Sequence, residues 1–205
     1  MRTTDNELRR RIAEVAACAD SIQGWLRRAE GACLYETARF RAPSPVVVEL
    51  GAWKGRSTAW LAFGVKDRGE GHVYAVDHWQ GSDEEPHRRL LQSYGDDQLF
   101  REFQSNLDRL GLTDHVTPIK LNTMAASRSW PVERPIGLLF IDASHEYGDV
   151  KRDFEYWSPL VSPGGFILFH DVRTWPGPTR LVGELPAWYR HAGDVHSIWI
   201  AEKIG

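Results

Sequence analysis

The sequence predicts an α/β fold: a Rossmann-like, doubly wound, mostly parallel sheet of six or seven strands preceded by an N-terminal helical cap. Three observations predict it. Short apolar runs closed by a polar or acidic residue alternate with amphipathic segments along the chain. A glycine turn follows the first of these runs at Gly51 and Gly55. No linker or repeat interrupts the alternation, which requires right-handed crossovers and a sheet covered on both faces.

Taken in order, residues 5–18 and about 30–40 read as amphipathic helices separated by Gly24-Trp25-Leu26, forming a cap (1–40) on a single domain (41–205). Val46-Val47-Val48-Glu49-Leu50 reads as a strand and 57–66 as a helix, with a second strand at 72–77. The segment from Gln80 to Tyr94 is too polar for core and reads as substrate-facing or mobile, before a helix over 96–110. Then come a strand at 116–121, a helix from Asn122, a strand at 136–142 and a helix over Tyr147–Trp157. A turn at Pro163-Gly164-Gly165, a strand over Phe166–His170, a helix over Thr179–Arg190 and a strand near 197–202 complete the reading. The dozen or so residues after Arg190 leave room for one clear strand and at most a stub before it.

The glycine turn carries the first functional signal. Gly51 can adopt backbone angles closed to other residues, Gly55 lets the next helix sit close to the strand, and free amides at the helix start attract negative groups. A dinucleotide fingerprint needs glycine where this chain has Trp53, so NAD is a poor fit. S-adenosylmethionine carries no phosphate and presents an adenosine, a sulfonium and an amino acid head, which tolerates Trp53 and uses Glu49 near its ammonium. Asp77 lies roughly 20 residues beyond the loop, where a carboxylate reaches ribose hydroxyls. His78 and Trp79 are placed to flank an adenine, although a Trp at a strand end also serves as core packing.

Composition narrows the class. The chain has 205 residues, 42% of them hydrophobic, enough to bury a sizeable core. Nine Trp, eight Phe and six Tyr exceed the needs of a core, which places some in a pocket. A formal charge of −3 without a basic stripe argues against nucleic acid, and Arg9-Arg10-Arg11 reads as a solvated helix face. No apolar run approaches the roughly 18 residues of a membrane span, and the charged first dozen residues do not read as a signal peptide. Cys18 and Cys33 lack disulfide or metal spacing, so a soluble protein of the reducing cytoplasm is expected.

Ligands of such sheets sit beyond the carboxyl ends of the strands, where the strand order reverses. Those ends carry Glu49, Asp77, Asn122 with Thr123, Asp142 with His145, and His170 with Asp171. Four ionisable groups on neighbouring strands, Asp142, His145, His170 and Asp171, suggest a metal site, a proton-transfer site or both. The alternative is an Asp–His network that anchors loops. His72, His87, His115, His191 and His196 have no partner at ligand spacing and read as surface or turn residues. Pro176-Gly177-Pro178 fixes a loop over the same rim, or simply ends the strand.

The runs Glu49-Leu50-Gly51-Ala52-Trp53-Lys54-Gly55-Arg56-Ser57-Thr58, Phe140-Ile141-Asp142-Ala143-Ser144-His145-Glu146-Tyr147 and Pro163 to Asp171 together resemble the class I S-adenosylmethionine-dependent methyltransferases. Within them they are most similar to the branch of macrolide-sugar and other natural-product O-methyltransferases, which also holds cephalosporin hydroxylase-like proteins. The resemblance spans about residues 40–203. It implies a cofactor-contacting set of Glu49, Gly51, Trp53, Gly55, Ser57, Asp77, His78, Trp79, Thr123 and Asp142, with Thr123 near the adenine.

In the metal-dependent relatives the position of Asp142 is a metal-ligating aspartate, and the positions of His170 and Asp171 complete the set as two acids or an Asp-Asn pair. His170 departs from that pattern, which puts metal dependence in doubt and favours Mn²⁺, Fe²⁺ or Zn²⁺ over Mg²⁺ if it is a ligand. His145 occupies the place of a general-base Lys, and an imidazole suits proton removal from a hydroxyl; the competing role is a cap on the helix that follows, shared with Ser144. Three functions follow: a small-molecule O-methyltransferase acting on a sugar or other natural product, a hydroxylase-like metal-dependent member of the fold, or a non-catalytic binding protein. The helical arm offers a surface for a second subunit, which leaves a homo-oligomer open.

Overall fold

The computed structural model describes residues 4–82 and 85–205, without the side chains of Pro86 and His87. The chain opens with α1 (Asp5–Ala19), started by a capping box in which Thr4 and Glu7 satisfy each other's backbone amides. α2 (Arg28–Glu36) follows and runs into a π-helical turn over Thr37–Arg41. The apolar faces of both helices pack into the core of the sheet domain: Val15, Ala19, Ile22, Leu34 and Tyr35 share one cluster with Trp60 and Leu61. Arg11 is not a solvated charge, since its guanidinium donates to both carboxylate oxygens of Asp67 at 2.7 and 3.1 Å and pins the arm.

Seven strands form one sheet in the order β3-β2-β1-β4-β5-β7-β6. β1 (Val46–Leu50), β2 (His72–Asp77), β3 (Val116–Lys120), β4 (Ile136–Ile141) and β5 (Val161–Phe169) are parallel, and β7 (Ile198–Lys203) pairs antiparallel with β5 and with β6 (Tyr189–Val195). β4 is buried at every position, the pattern of a central strand covered on both faces. Leu50 is level with Val76 on one side and Ile141 on the other, so β1, β2 and β4 end together where the order reverses.

The crossovers are α3 (Arg56–Arg68), α4 (Glu85–Leu91) with α5 (Gln98–Arg109), α6 (Thr123–Arg128), α7 (Tyr147–Trp157) and α8 (Pro176–Val182). α3 stops where Gly69 turns left-handed and its amide closes on Val65 and Lys66. α5 buries Leu99, Phe103 and Leu107, one residue per turn, against the loop between β1 and α3.

Two expectations change, and a third is made specific. The expected helix over Thr179–Arg190 is the short α8, after which Gly183 and Pro186 break the helical path and residues 189–195 pair as a full edge strand, so the sheet has seven strands. Pro163-Gly164-Gly165 lies within β5 as an irregularity: β4 pairs with Val161 and then with Phe166, and Gly164 turns left-handed at φ 76° between them. The polar segment from Gln80 contains α4 and faces the ligand cleft, although Asp83 and Glu84 fall outside the described residues.

Candidate active site

The loop between β1 and α3 is held by one carboxylate. Gly51 has φ 87°, and a Cβ there would lie 2.2 Å from the carbonyl oxygen of Asp142, so only glycine lets the loop lie against the next strand's end. Asp77 Oδ2 accepts from the amides of Ala52 and Trp53 at 3.0 and 2.9 Å, and Oδ1 from that of Trp79 at 2.6 Å. Oδ2 has both its lone pairs engaged, whereas Oδ1 can take a further hydrogen bond, so Asp77 both shapes the loop and faces the cleft. Trp53 is itself left-handed, at φ 48°.

Three members of the expected contact set do not line the cleft. Trp79, left-handed at φ 53°, turns its ring into the core against Phe100 and Phe103 and donates from Nε1 to the Trp53 carbonyl at 2.8 Å. Gly55 starts α3 in a left-handed turn, and its close neighbour is the Phe103 ring of α5 rather than a strand. Glu49 is fully buried beneath the loop, where it accepts from Thr58 Oγ1 at 2.5 Å while its Oε1 finds no partner. Gly51, Trp53, Ser57, Asp77, His78, Thr123 and Asp142 do line it. Thr123 is fixed from behind, its hydroxyl hydrogen-bonded to Asp153 and its carbonyl accepting from Trp157 Nε1 at 3.0 Å.

Burial pushes the Glu49 carboxyl up to about 8 against the opposing influence of the nearby Ser57 and Thr58 hydroxyls. An acid whose folded pKa exceeds its unfolded one holds a proton that the unfolded chain releases, so stability falls as pH rises between about 4.5 and 8. Glu49→Gln removes that component, with an expected slope difference of up to about 1.4 kcal/mol per pH unit in that window. Urea melts of the two proteins from pH 5 to 8 check it; parallel curves contradict it.

The opposite wall is the rim of β4 and β5. The Asp142 amide donates to Leu50 O at 2.9 Å and that of His170 to Ile141 O at 3.1 Å, so the ladder continues to the residues that bear the polar side chains. His170 Nδ1 lies 2.9 Å from Asp142 Oδ1 and 3.2 Å from Asp171 Oδ2, and His145 Nε2 lies 2.9 Å from the same Asp171 oxygen. All four expected rim residues therefore meet. Asp171 reaches this position from a left-handed backbone at φ 59°. Burial lowers the proton affinity of His170, but Asp142, Asp171 and Glu30 outweigh it and raise its pKa to about 12. Burial likewise opposes ionisation of Asp171, and its bonds to the two imidazoles hold it far below the usual carboxylate range.

Asp142, His170 and Asp171 each offer one ligand atom within 4.8 Å of the others, a group able to hold a metal ion. His145 stacks flat on Trp175, with ring centroids 4.5 Å apart and planes at 7°. The helix that follows starts at Glu146 without a side-chain cap, and Ser144 accepts from the Glu146 amide at 3.3 Å and donates to Asp149 at 3.0 Å. Gly177 brings the start of α8 against this loop, since a Cβ there would meet His145 O at 2.1 Å.

Sequence reasoning missed three contributions. Glu30 of α2 reaches the rim and faces His170 Nε2 at 3.5 Å. Trp175 supplies the ring under His145, for which the neighbouring Pro176-Gly177-Pro178 is the only local signal. His196, read as a turn residue, lines the cleft with Arg27, whose Nη1 approaches His196 Nδ1 to 3.5 Å. The arm also brings Trp25 to 5.7 Å from Trp53, between ring centroids. Together these walls enclose a cleft of about 1750 Å³.

Comparison with known proteins agrees with this architecture. Residues 48–172 match the family described as a methyltransferase domain. An uncharacterised protein of Sinorhizobium fredii, y4gI, is 33% identical over 105 residues, 48% of this chain, and the aligned region covers 10% of that relative's length. Among solved structures, the SAH-bound methyltransferase PaMTH1 of Podospora anserina superposes with a TM-score of 0.66 at 14% identity, covering 95% of this chain and 87% of that one. The SAM complex of the O-methyltransferase TomG of Streptomyces achromogenes, involved in tomaymycin synthesis, gives 0.64 at 17% identity, with 99% and 92% covered. The SAH complex of an O-methyltransferase from Bacillus cereus gives 0.60 at 19%, with 98% and 92% covered. Identities this low establish a shared fold. The family match spans more than half of the chain, from β1 through the glycine loop and Asp77 to Asp142 and Asp171, and the protein belongs to the methyltransferase domain family.

Proposed function

We propose that the protein is an S-adenosylmethionine-dependent O-methyltransferase that acts on a hydroxyl of a small molecule such as a sugar or other natural product. The observation that carries this reading is that the glycine loop and the Asp142–His145–His170–Asp171 rim face one cleft and touch through Gly51 and Asp142. The cofactor's ammonium and ribose hydroxyls are hydrogen-bond donors, and the carboxylates of Asp77 and Asp142 are the acceptors they need. A volume of about 1750 Å³ exceeds the 300–1,000 Å³ usual for one ligand and leaves room for an acceptor beside the cofactor. Trp25, Trp53 and Trp175 supply flat apolar faces on that side.

S-adenosylmethionine, when bound, supplies a methyl group on a positively charged sulfur. The acceptor oxygen forms the new bond to carbon as the carbon–sulfur bond breaks, and the hydroxyl proton must leave. His145 is the residue for that proton: it lines the cleft, its Nε2 lies 2.9 Å from Asp171, and the Trp175 stack fixes the ring plane. Asp171 stabilises the imidazolium that results. Asp142, His170 Nδ1 and Asp171 would hold a divalent cation, whose Lewis acidity lowers the pKa of an acceptor hydroxyl.

The test is transfer of a tritium-labelled methyl group to a panel of hydroxylated sugars and phenols. Incorporation into at least one acceptor, lost in Asp142→Ala, supports the reading, and binding of the nucleoside without transfer to any of them opposes it. Asp77→Ala leaves two loop amides without their acceptor, at a cost of about 1–3 kcal/mol. S-adenosylhomocysteine is then expected to bind at least about tenfold more weakly, as read by calorimetry; an unchanged Kd would remove Asp77 from the cofactor site.

A further inference from the structure

We propose that Glu30, brought to the rim by the N-terminal arm, is a positioning residue that holds His170 with Nδ1 toward Asp142 and Asp171, so that a bound cation takes an imidazole nitrogen and Mn²⁺ or Zn²⁺ is preferred to Mg²⁺. The inference rests on the metal site of the function proposed above and assigns its selectivity to a residue outside the sheet.

His170 is 6% exposed, and its Nε2 is buried with no hydrogen bond of good geometry. The group it faces is Glu30 Oε2, at 3.5 Å. Glu30 is itself only 1% exposed, and a buried carboxylate is costly unless it is paired. Its position is fixed from two sides. Oε1 accepts from the Ser197 amide at 3.0 Å and hydroxyl at 2.7 Å, and Oε2 accepts from the Arg27 amide at 2.8 Å at the start of α2. The carboxylate therefore cannot swing away, and the imidazole between it and the rim has one nitrogen for each.

With Nε2–H directed at Glu30, Nδ1 faces Asp142 Oδ1 at 2.9 Å and Asp171 Oδ2 at 3.2 Å, sharing with them a proton that a bound cation would displace to take the nitrogen's lone pair. A carboxylate behind a ligating histidine fixes its tautomer and ring orientation and raises its basicity. Two carboxylates and one imidazole nitrogen suit borderline cations, whereas Mg²⁺ favours oxygen. Without Glu30 the Nε2 side loses the carboxylate that orients the ring, and the ring can turn out of the ligand set.

The test uses the full chain after EDTA treatment, titrated with Mn²⁺ by calorimetry and examined by pulsed EPR for coupling of bound Mn²⁺ to an imidazole nitrogen, with Mg²⁺ as competitor. The wild type is expected to show the coupling and to prefer Mn²⁺. Glu30→Ala is expected to weaken Mn²⁺ about 10–100-fold and to lose or broaden the coupling. Glu30→Gln keeps the volume and an acceptor for Nε2–H, so it should retain the coupling with a smaller loss, about 3–10-fold. Ser197→Ala removes one of the bonds that fix Glu30 but leaves its carboxylate and the Ser197 amide in place, so it should keep the coupling and weaken Mn²⁺ by less than Glu30→Ala does. Wild-type coupling and affinity in Glu30→Ala, or an unchanged Kd in Glu30→Gln should the alanine variant not fold, overturns the assignment of Glu30 alone. Absence of Mn²⁺ binding to the wild type overturns the metal site and this inference together, while leaving cofactor binding measurable by S-adenosylhomocysteine.

Discussion

Replacement of His145 by Ala is expected to lower the rate of methyl transfer about 10²–10⁴-fold, the usual contribution of a positioned general base. The loss should fall on kcat, because His145 meets the proton only as the acceptor oxygen attacks, and S-adenosylhomocysteine should bind with a Kd within about twofold of wild type. The assignment rests on two contacts made by the ring, Asp171 on Nε2 and the Trp175 plane beneath it, and on the close approach of Gly177 to the backbone carbonyl of the same residue. Trp175→Ala removes only the stack and should have a smaller effect in the same direction. Steady-state kinetics on any acceptor found in the labelling screen checks both variants. An unchanged kcat in His145→Ala would mean that the proton leaves by another route.

The second large effect is on stability. Trp60→Ala is expected to cost about 3–5 kcal/mol, the range for truncating a buried aromatic side chain. For a chain of this size that lowers Tm by about 6–20 °C. Trp60 sits on α3 at 1% exposure and belongs to the cluster that includes Val15, Leu34 and Tyr35 of the arm. Because the arm and the sheet domain share that cluster, the variant should still unfold in one transition rather than shed the arm first. Differential scanning calorimetry distinguishes the outcomes: a loss under about 1 kcal/mol, or a separate low-temperature transition, would contradict a shared core.

The parts of the fold read directly from sequence are those in which local chemistry and position coincide. β1, β2 and β4 are apolar runs ended by acids, and the glycine turn between Leu50 and Ser57 has the spacing that a strand-to-helix connection demands. The meeting of Asp142, His145, His170 and Asp171 was legible for the same reason, because strand ends are level in a parallel sheet. β6 was hidden because its burial alternates weakly and its polar residues resemble a helix surface; pairing with β7 decides it.

Of the two readings of Trp79, flanking an adenine or packing in the core, the structure shows the second, and the sequence could not choose because the side-chain direction depends on a left-handed backbone angle that no residue-type preference signals. Glu49 was expected to support both the loop and the cofactor's ammonium; strand alternation turns it under the loop, where it bonds Thr58 at the start of α3 and does not line the cleft. Glu30 could not be found at all: in sequence it is an ordinary acid in the first turn of a helix, and its contact with His170 exists only once the arm docks.

The most direct measurement of the central claim is calorimetric titration of the purified chain with S-adenosylhomocysteine, repeated after EDTA treatment and with Asp77→Ala. A loop held by Asp77 beside the Asp142 rim predicts saturable binding to one site, retained without metal because none of the three metal ligands holds the loop amides, and weakened by the substitution. No heat of binding at millimolar ligand, or a Kd indifferent to Asp77, would contradict it.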